Sequence, residues 1–173
     1  MSYNLIGKIA NRLRVRYFSL WFNIGKGCSF GKVKFWDCEK GSIKIGNKVV
    51  ILRKTELCAK TKLPISIGNG TFLNQQCIIR PNTYVGNNVD LGPRVMLISD
   101  THEKGTSSRR AGKSIFLPIK IEEGCWIGAN ATILGGVTIG EGCIIGAGSL
   151  VNKDCEPNSL YAGVPAKLIR KLY

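Results

Sequence analysis

Aliphatic residues recur every six positions along much of this chain, and this period constrains the fold more than any other feature. From residue 121 the hexads are IEEGCW, IGANAT, ILGGVT, IGEGCI, IGAGSL and VNKDCE. Each begins with isoleucine or valine, and the fifth position is always small. The same register runs through residues 67–96, and a less regular version begins near residue 45. Self-similarity at so short a period predicts a repetitive fold.

A hexad repeat is typical of a parallel β-helix. A short strand alternates its side chains, so each hexad can direct its first residue inward and then turn a corner. The corner leaves room only for a small inward side chain, and glycine beside it tolerates backbone angles that other residues resist. Three hexads would close a triangular coil of about 18 residues, with coils about 4.8 Å apart. We predict an all-β parallel β-helix of about seven coils over residues 24–162.

The repeat accounts for most of the seven cysteines. Four of them occupy the small fifth position of a hexad: Cys77, Cys125, Cys143 and Cys155. We expect them to be packing thiols, because a free cysteine behaves as a small hydrophobe. Cys28 has the same offset from Ile24. The odd number, the lack of a CxxC motif and the lack of a secretory signal predict reduced thiols in the cytoplasm.

The chain is strongly basic, with 25 Lys and Arg against 11 Asp and Glu and a formal net charge of +14. Such an excess favours anionic partners: nucleic acid, acidic membrane surfaces or phosphorylated small molecules. We find no basic–aromatic nucleic-acid motif, no zinc-ligand spacing and no apolar run near the roughly 20 residues of a membrane span. We therefore expect neither a nucleic-acid partner nor a metal.

The N-terminal segment, residues 1–23, does not follow the hexad. Within residues 3–22 apolar side chains recur at helical spacing. Basic residues are interleaved with them: Lys8, Arg12, Arg14 and Arg16. One interpretation is a cap that closes the first coil and buries Leu13, Phe18 and Trp21. The other is an amphipathic helix on an anionic membrane surface at the inner face of the cell membrane. The two interpretations are compatible, and both stay open.

The register breaks between Leu97 and Ile121, and the break contains the only histidine, His102. We predict that residues 101–116 form a protruding, basic loop. Long polar loops on rigid scaffolds are either functional or solvated and disordered. A functional loop here would be a flap over the substrates of a neighbouring subunit. Taken alone, His102 would be better explained as an ordinary loop histidine, solvated and idle.

Residues 118–170 resemble the left-handed β-helix acyltransferases, and most closely their sugar O-acetyltransferase branch. That branch includes galactoside, maltose, nodulation and capsular-polysaccharide acetyltransferases. The stretch YAGVPAKLIR at residues 161–170 is the most diagnostic part, and the likeness extends over about residues 65–173. The resemblance implies a left-handed coil, a homotrimer, and acetyl-CoA bound between neighbouring β-helices without a metal. For residues 163–173 we predict a short C-terminal helix.

The resemblance also implies roles for individual residues. His102 would be the general base, and Asn74 and Trp126 would line the acceptor side. Contacts to acetyl-CoA would fall on residues of the later coils: Ala129, Ala147, Asn152, Lys153, Lys167 and Arg170. A ladder role for Asn74 and outward packing for Trp126 are the structural alternatives.

A base on a hydroxyl group needs its second ring nitrogen held by an acceptor, which fixes the tautomer. Asp100 is our candidate for that acceptor. Glu103, Glu122, Glu123 and a backbone carbonyl are alternatives among which the sequence does not choose.

These features predict an acetyl-CoA-dependent O-acetyltransferase that acts on a saccharide hydroxyl in surface-polysaccharide biosynthesis. N-acetylation of an amino-sugar nucleotide and O-acetylation of serine are chemically close alternatives. A zinc carbonic anhydrase of the same fold would need three histidines, and the chain has one. A scaffold or membrane-docking module without catalytic activity is the alternative from a different class.

Overall fold

The computed structural model describes residues 5–172, and these form a parallel β-helix preceded by one helix. Residues 1–4 and 173, which belong to the predicted terminal segments, lie outside the described residues. The helix, α1, spans Leu5–Phe18. Three parallel sheets follow, one on each side of a triangular coil.

The strands are named here by sheet. The first sheet contains β1 (Asn23–Ile24), β4 (Ile43–Ile45), β7 (Ile65–Ile67), β10 (Thr83–Val85), β15 (Ile119–Ile121) and β18 (Thr138–Ile139). The second contains β2 (Ser29–Phe30), β5 (Val50–Ile51), β8 (Phe72–Leu73), β11 (Asp90–Leu91), β16 (Trp126–Ile127), β19 (Ile144–Ile145), β21 (Ser159–Gly163) and β22 (Ala166–Lys171). The third contains β3 (Lys34–Phe35), β6 (Glu56–Leu57), β9 (Ile78–Ile79), β12 (Met96–Ile98), β17 (Thr132–Leu134) and β20 (Leu150–Val151).

The first residue of each hexad stacks on its counterparts in the coils above and below. In the first sheet Val85 pairs with Ile67 on one side and with Ile121 on the other. All three are buried, at 2% exposure or less. The three sheets give six complete coils among the described residues, and β21 opens a seventh. The predicted parallel β-helix is confirmed.

We expected the glycine beside each corner to adopt backbone angles that other residues resist, and the structure places those angles at a different hexad position. Positive φ falls on the fourth hexad position, which is glycine in Gly142 (φ 65°) and a long side chain in Gln76 (φ 63°). Glycine at the second position is needed for a different reason, which is the small space between successive coils. A Cβ on Gly128 would lie 2.5 Å from the backbone nitrogen of Ala147 in the next coil. Second-position glycine therefore permits the close approach of successive coils.

The corner cysteines are buried packing thiols, as predicted. The Cys77 thiol is fully buried and donates to the carbonyl of Gly92 at 3.3 Å. The Cys125 thiol is 1% exposed and donates to the carbonyl of Gly140 at 3.1 Å. Burial raises the pKa of Cys77 to about 11 and that of Cys125 to about 12. Because the thiolate is the reactive form, such groups are chemically inert.

The break in the register is a β-hairpin and not an irregular loop. Two strands, β13 (Asp100–Lys104) and β14 (Ala111–Phe116), pair antiparallel and form a separate two-stranded sheet. Leu97 on the third side is followed by Ile121 on the first side, as in every other coil. The hairpin is therefore an insertion at one corner, and it leaves the stacking of the coils intact.

The predicted C-terminal helix is wrong, because β22 is a strand. It turns back at Gly163–Ala166 and pairs antiparallel with β21. The last strand of a β-helix exposes a row of unpaired backbone groups. β22 satisfies the open edge of β21, and a helix in its place would leave that edge bare.

The α1 helix caps the first coil, and of the three side chains expected in the cap only Phe18 packs against the core. Phe18 packs against Phe35, with ring centroids 4.4 Å apart, and Phe22 is 6% exposed. Leu13 and Trp21, which we expected to be buried, are 64% and 48% exposed. The face of α1 that carries Phe18 meets the core. Helical spacing places Leu13 on the opposite side, so Leu13 faces solvent.

Candidate functional site

His102 lies on the hairpin that leaves the corner between the third and first sheets, called here the third–first corner. It is exposed and pairs across the hairpin with Ser114. The Ser114 hydroxyl is 3.3 Å from His102 Nε2. That distance is long for a hydroxyl hydrogen bond, so the contact is weak.

Asp100, at the root of the hairpin, is held by Arg80 of the coil below. Arg80 Nε and Nη2 donate to the two carboxylate oxygens of Asp100, each at 2.8 Å. The Arg80 guanidinium also lies over the ring of Trp36, 5.0 Å from its centroid. The hydrogen bonds from Arg80 lower the pKa of Asp100, so the carboxylate stays ionised. The ladder of Trp36, Arg80 and Asp100 fixes the base of the hairpin to the rigid coils.

The structure does not bring an acidic side chain into hydrogen-bond contact with His102 among the described residues. Asp100 faces Arg80, as described above. Glu122 is paired with Lys120 at 2.6 Å, and Glu123 accepts from Asn87 at 2.7 Å. The orienting role that we predicted for Asp100 therefore stays a prediction.

Sequence reasoning missed Arg80, Trp36 and Ser114. The one available signal was Arg80, a charged residue at the second hexad position, where glycine is frequent. Ser114 gave no signal, because its position opposite His102 depends on the hairpin register, which an interrupted repeat does not predict.

A second group of predicted residues lies at the corner between the second and third sheets, the second–third corner. Asn74, Ala129 and Ala147 follow β8, β16 and β19 there, and Gly148 N–H donates to the carbonyl of Ala129 at 2.8 Å. Asn74 is half-buried, and its side-chain oxygen accepts from its neighbour's backbone N–H at 2.8 Å. A Cβ on Gly148 would meet nothing within 4 Å. Ala147 and Gly148 are exposed. The surface formed by Asn74, Ala129, Ala147 and Gly148 is called here the ledge.

The remaining residues lie near one corner or the other. Trp126 is on the outer face of the second sheet, 59% exposed, and leads into the ledge at Ala129. Lys167 and Arg170 are exposed on β22, the outermost strand of the same sheet. Asn152 and Lys153 are exposed directly after β20, at the third–first corner that also carries the hairpin.

A single chain therefore holds the predicted site in two separate halves. The histidine half is at the third–first corner, and the ledge half is at the second–third corner. A strand rises about 3.3 Å per residue, so one six-residue side separates the halves by on the order of 20 Å. Among residues 5–172 no three His, Cys, Asp or Glu side chains are placed to hold a metal ion.

The comparisons with known proteins agree with this fold. Residues 118–153 match the family model described as bacterial transferase hexapeptide (six repeats). The galactoside O-acetyltransferase of Escherichia coli is 42% identical over 110 residues, which are 62% of this chain and 54% of that protein's length. This chain thus spans about half the length of such relatives.

Two solved structures cover most of the chain. A hexapeptide-repeat acetyltransferase from Vibrio cholerae, complexed with acetyl-CoA, is 27% identical with a TM-score of 0.63 and covers 94% of this chain and 78% of its own. A variant of AntD, an N-acyltransferase from Bacillus cereus in complex with dTDP and coenzyme A, has a TM-score of 0.77 at 20% identity, over 92% of this chain and 90% of its own. The second likeness concerns the fold alone.

Residues 118–153 of this chain therefore resemble the hexapeptide repeats of bacterial transferases. The resemblance to the sugar O-acetyltransferases, noted above for residues 118–170, is confirmed.

Proposed function

We propose that this protein is an acetyl-CoA-dependent O-acetyltransferase that acts on a saccharide hydroxyl. The observation that carries the proposal is the position of His102. The chain has one histidine, and it lies on a hairpin inserted at a corner of a β-helix whose relatives are acetyltransferases. Because a lone histidine in a solvated loop needs no such support, its attachment through Asp100 and Arg80 to the coils below favours a functional role.

In the proposed reaction His102 accepts the proton of the acceptor hydroxyl as its oxygen bonds to the thioester carbonyl carbon. When the carbon–sulfur bond breaks, His102 returns that proton to the leaving sulfur. The Ser114 hydroxyl, 3.3 Å from Nε2, marks the place that an acceptor hydroxyl would take. The thioester is already activated, so the transfer needs no covalent enzyme intermediate.

The donor would bind at the ledge of the second–third corner. Glycines 128 and 146 keep the coils close there, and Ala129 and Ala147 leave the backbone open to a ligand. Coenzyme A carries several phosphate charges, and Lys167 and Arg170 are exposed cations on β22 of the sheet that leads into this corner. Lys153 and Asn152 lie at the third–first corner, so they would reach the same coenzyme A from the neighbouring subunit.

The two halves of the site lie on different corners, and this supports a homotrimer. In a closed ring of three β-helices, the third–first corner of one subunit can face the second–third corner of the next. Asn74 and Trp126 of that facing subunit would then lie on the acceptor side. The proposed acceptor is a surface-polysaccharide unit, modified in the cytoplasm at the inner face of the membrane, with α1 in peripheral contact.

The proposal is tested by following release of free coenzyme A with a panel of sugar acceptors. We expect His102→Ala to lower the rate by about 10²–10⁴-fold, because a positioned general base contributes that much. Ser114→Ala is the matched control, since it removes the other side of the same contact, and it should stay within about twofold of wild type. A His102→Ala protein as active as wild type would falsify the general-base assignment.

The same assay separates the alternatives. An amino-sugar nucleotide or serine that outcompetes every neutral sugar would replace the proposed acceptor, while the role of His102 stayed. Absence of any coenzyme A affinity by calorimetry would favour a scaffold without catalytic activity.

A further inference from the structure

The α1 helix has two faces with different partners. The inner face holds the first coil: the backbone N–H of Phe30 donates to Asn11 Oδ1 at 2.7 Å, and Arg14 Nη1 donates to the Phe30 carbonyl at 2.8 Å. Val15 and Phe18 pack against the core from the same side. These contacts attach α1 to the first coil.

The outer face is apolar and exposed. Its large hydrophobic side chains are all between 48% and 66% exposed: Ile9, Leu13, Tyr17, Leu20 and Trp21. The first three are four residues apart and so form one stripe along the helix, which Leu20 and Trp21 extend. A contiguous exposed apolar surface of this kind marks an interaction site more often than scattered single side chains do.

The surface around the stripe is basic. The first acidic residue of the chain is Asp37, and seven Lys or Arg residues precede it. Lys8, Arg12 and Arg16 are exposed on α1 beside the stripe.

The fold adds a second basic group that the linear sequence separates from the helix. Lys32, Arg53 and Lys54 line an open cleft of about 680 Å³ together with Arg14 of α1. Within residues 5–172 none of these four side chains lies within ion-pair distance of an acidic group. Their charges therefore stay available to an anionic partner.

We propose that the outer face of α1 and the adjoining basic cleft form one docking surface for an anionic lipid bilayer. The stripe inserts at the boundary between headgroups and acyl chains, and the cleft binds lipid phosphates. A second copy of the chain would bring two like-charged surfaces together. Nucleic acid would use the cleft and leave five apolar side chains in water. No helix among the described residues is long and apolar enough to cross a membrane, so the contact is a peripheral one.

This inference deepens the peripheral membrane contact named under the proposed function, and it does not depend on acetyl transfer. Lipid binding is measured without substrates. A protein that binds vesicles and transfers no acetyl group would overturn the enzyme proposal alone. An active acetyltransferase that ignores anionic vesicles would overturn the docking surface alone.

The experiment is flotation of the full chain with vesicles of phosphatidylcholine alone or of an equimolar mixture with phosphatidylglycerol. We expect wild type to float with the anionic vesicles at least tenfold more than with the neutral ones. Leu13→Ser combined with Trp21→Ser should abolish flotation. Lys32→Glu combined with Lys54→Glu should lower it by at least tenfold, because each charge near the surface contributes about fivefold in affinity.

Two matched controls test the location of the surface. Leu168→Ser removes an equally exposed apolar side chain at the other end of the β-helix, and Lys44→Glu reverses an exposed lysine on the first sheet. Both should float like wild type. Equal flotation of wild type with neutral vesicles, wild-type binding by the Leu13/Trp21 variant, or loss of binding in either control would overturn the proposal. We expect all variants to fold, because the substituted side chains are exposed, and thermal melting checks this.

Discussion

The first two coils and the last two coils differ in length and in the side chains that fill their interior. From Ile24 to Ile45 the chain takes 21 residues to complete a coil, whereas from Ile121 to Ile139 it takes 18. The early interior contains the aromatic rings of Phe22 and Phe30, while the late interior is aliphatic with small corner residues.

The difference separates the repeats that match the family model from the repeats that do not. The late coils match the family model and need little beyond the hexad rule. The early coils use their longer corners and bulkier interior to accommodate a helix, a basic cleft and the Trp36–Arg80 contact. Regular repeats carry the proposed donor site, and irregular repeats carry α1, the basic cleft and Trp36.

The largest expected effect concerns glycine at the second hexad position, which is closely packed in the late coils at Gly128 and in the early coils at Gly25. Gly128→Ala would place a Cβ 2.5 Å from the Ala147 nitrogen and 2.7 Å from the Ile145 oxygen, both backbone atoms. Because neither coil can move independently, we expect a loss of about 3 kcal/mol in unfolding free energy. The control is Gly41→Ala in the early coils, where a Cβ meets nothing within 4 Å and only the positive φ of 79° is strained.

That control should cost about 1–2 kcal/mol, the usual penalty of a left-handed backbone conformation. Chemical denaturation of the two variants measures both losses. If Gly41→Ala were as costly as Gly128→Ala, close packing between coils would not be the reason for glycine at the second hexad position.

A smaller effect is expected at the helix that only the early coils carry. Phe18→Ala should lower the unfolding free energy by about 2 kcal/mol, because its half-buried ring packs on Phe35 and Phe30. Tyr17→Ala, one residue earlier on the exposed face, should change it by less than about 0.5 kcal/mol. Thermal or urea unfolding measures both. A cost at Tyr17 equal to that at Phe18 would show that the two faces of α1 are not distinct.

The smallest effect concerns the contact that joins the early coils to the hairpin. The pKa of Asp100 is lowered from its ordinary value of 3.8, chiefly by the hydrogen bonds from Arg80. The ionised carboxylate therefore stabilises the folded state above that value, and the contribution disappears as the pH falls through the lower, folded-state pKa. We expect Arg80→Met to cost about 1 kcal/mol near neutral pH.

The pH series tests the sign of that contribution. The difference in unfolding free energy between wild type and Arg80→Met should shrink toward zero below pH 3.8. Arg94→Met, an exposed arginine at the second–third corner, is the control and should show no such trend. A difference independent of pH would mean that Arg80 acts through packing on Trp36 and not through Asp100.

The hexad pattern was sufficient to predict the interior. Position one supplies the buried aliphatic column, and position five supplies the corner thiols, because both follow from local alternation and from the size of the corner. The role of second-position glycine was mistaken, since the spacing between coils is not visible in a single hexad.

The terminal segments were predicted less well. The sequence of α1 showed helical spacing but not which face is covered, so Leu13 and Trp21 were wrongly assigned to the interior. For β22 local sequence gave no warning of a strand, because its partner β21 is an exposed edge that exists only once the last coil is formed.

By itself the sequence determined the architecture of this protein and the place of its one histidine, because a six-residue period and its interruption are local and countable. The tertiary structure alone decided which partners meet across the coils. Arg80 reaches Asp100, Ser114 lies opposite His102, and Lys32, Arg53 and Lys54 join Arg14 in one cleft. These contacts depend on the register between coils and within the hairpin, and register is fixed by backbone hydrogen bonds between segments far apart in the chain.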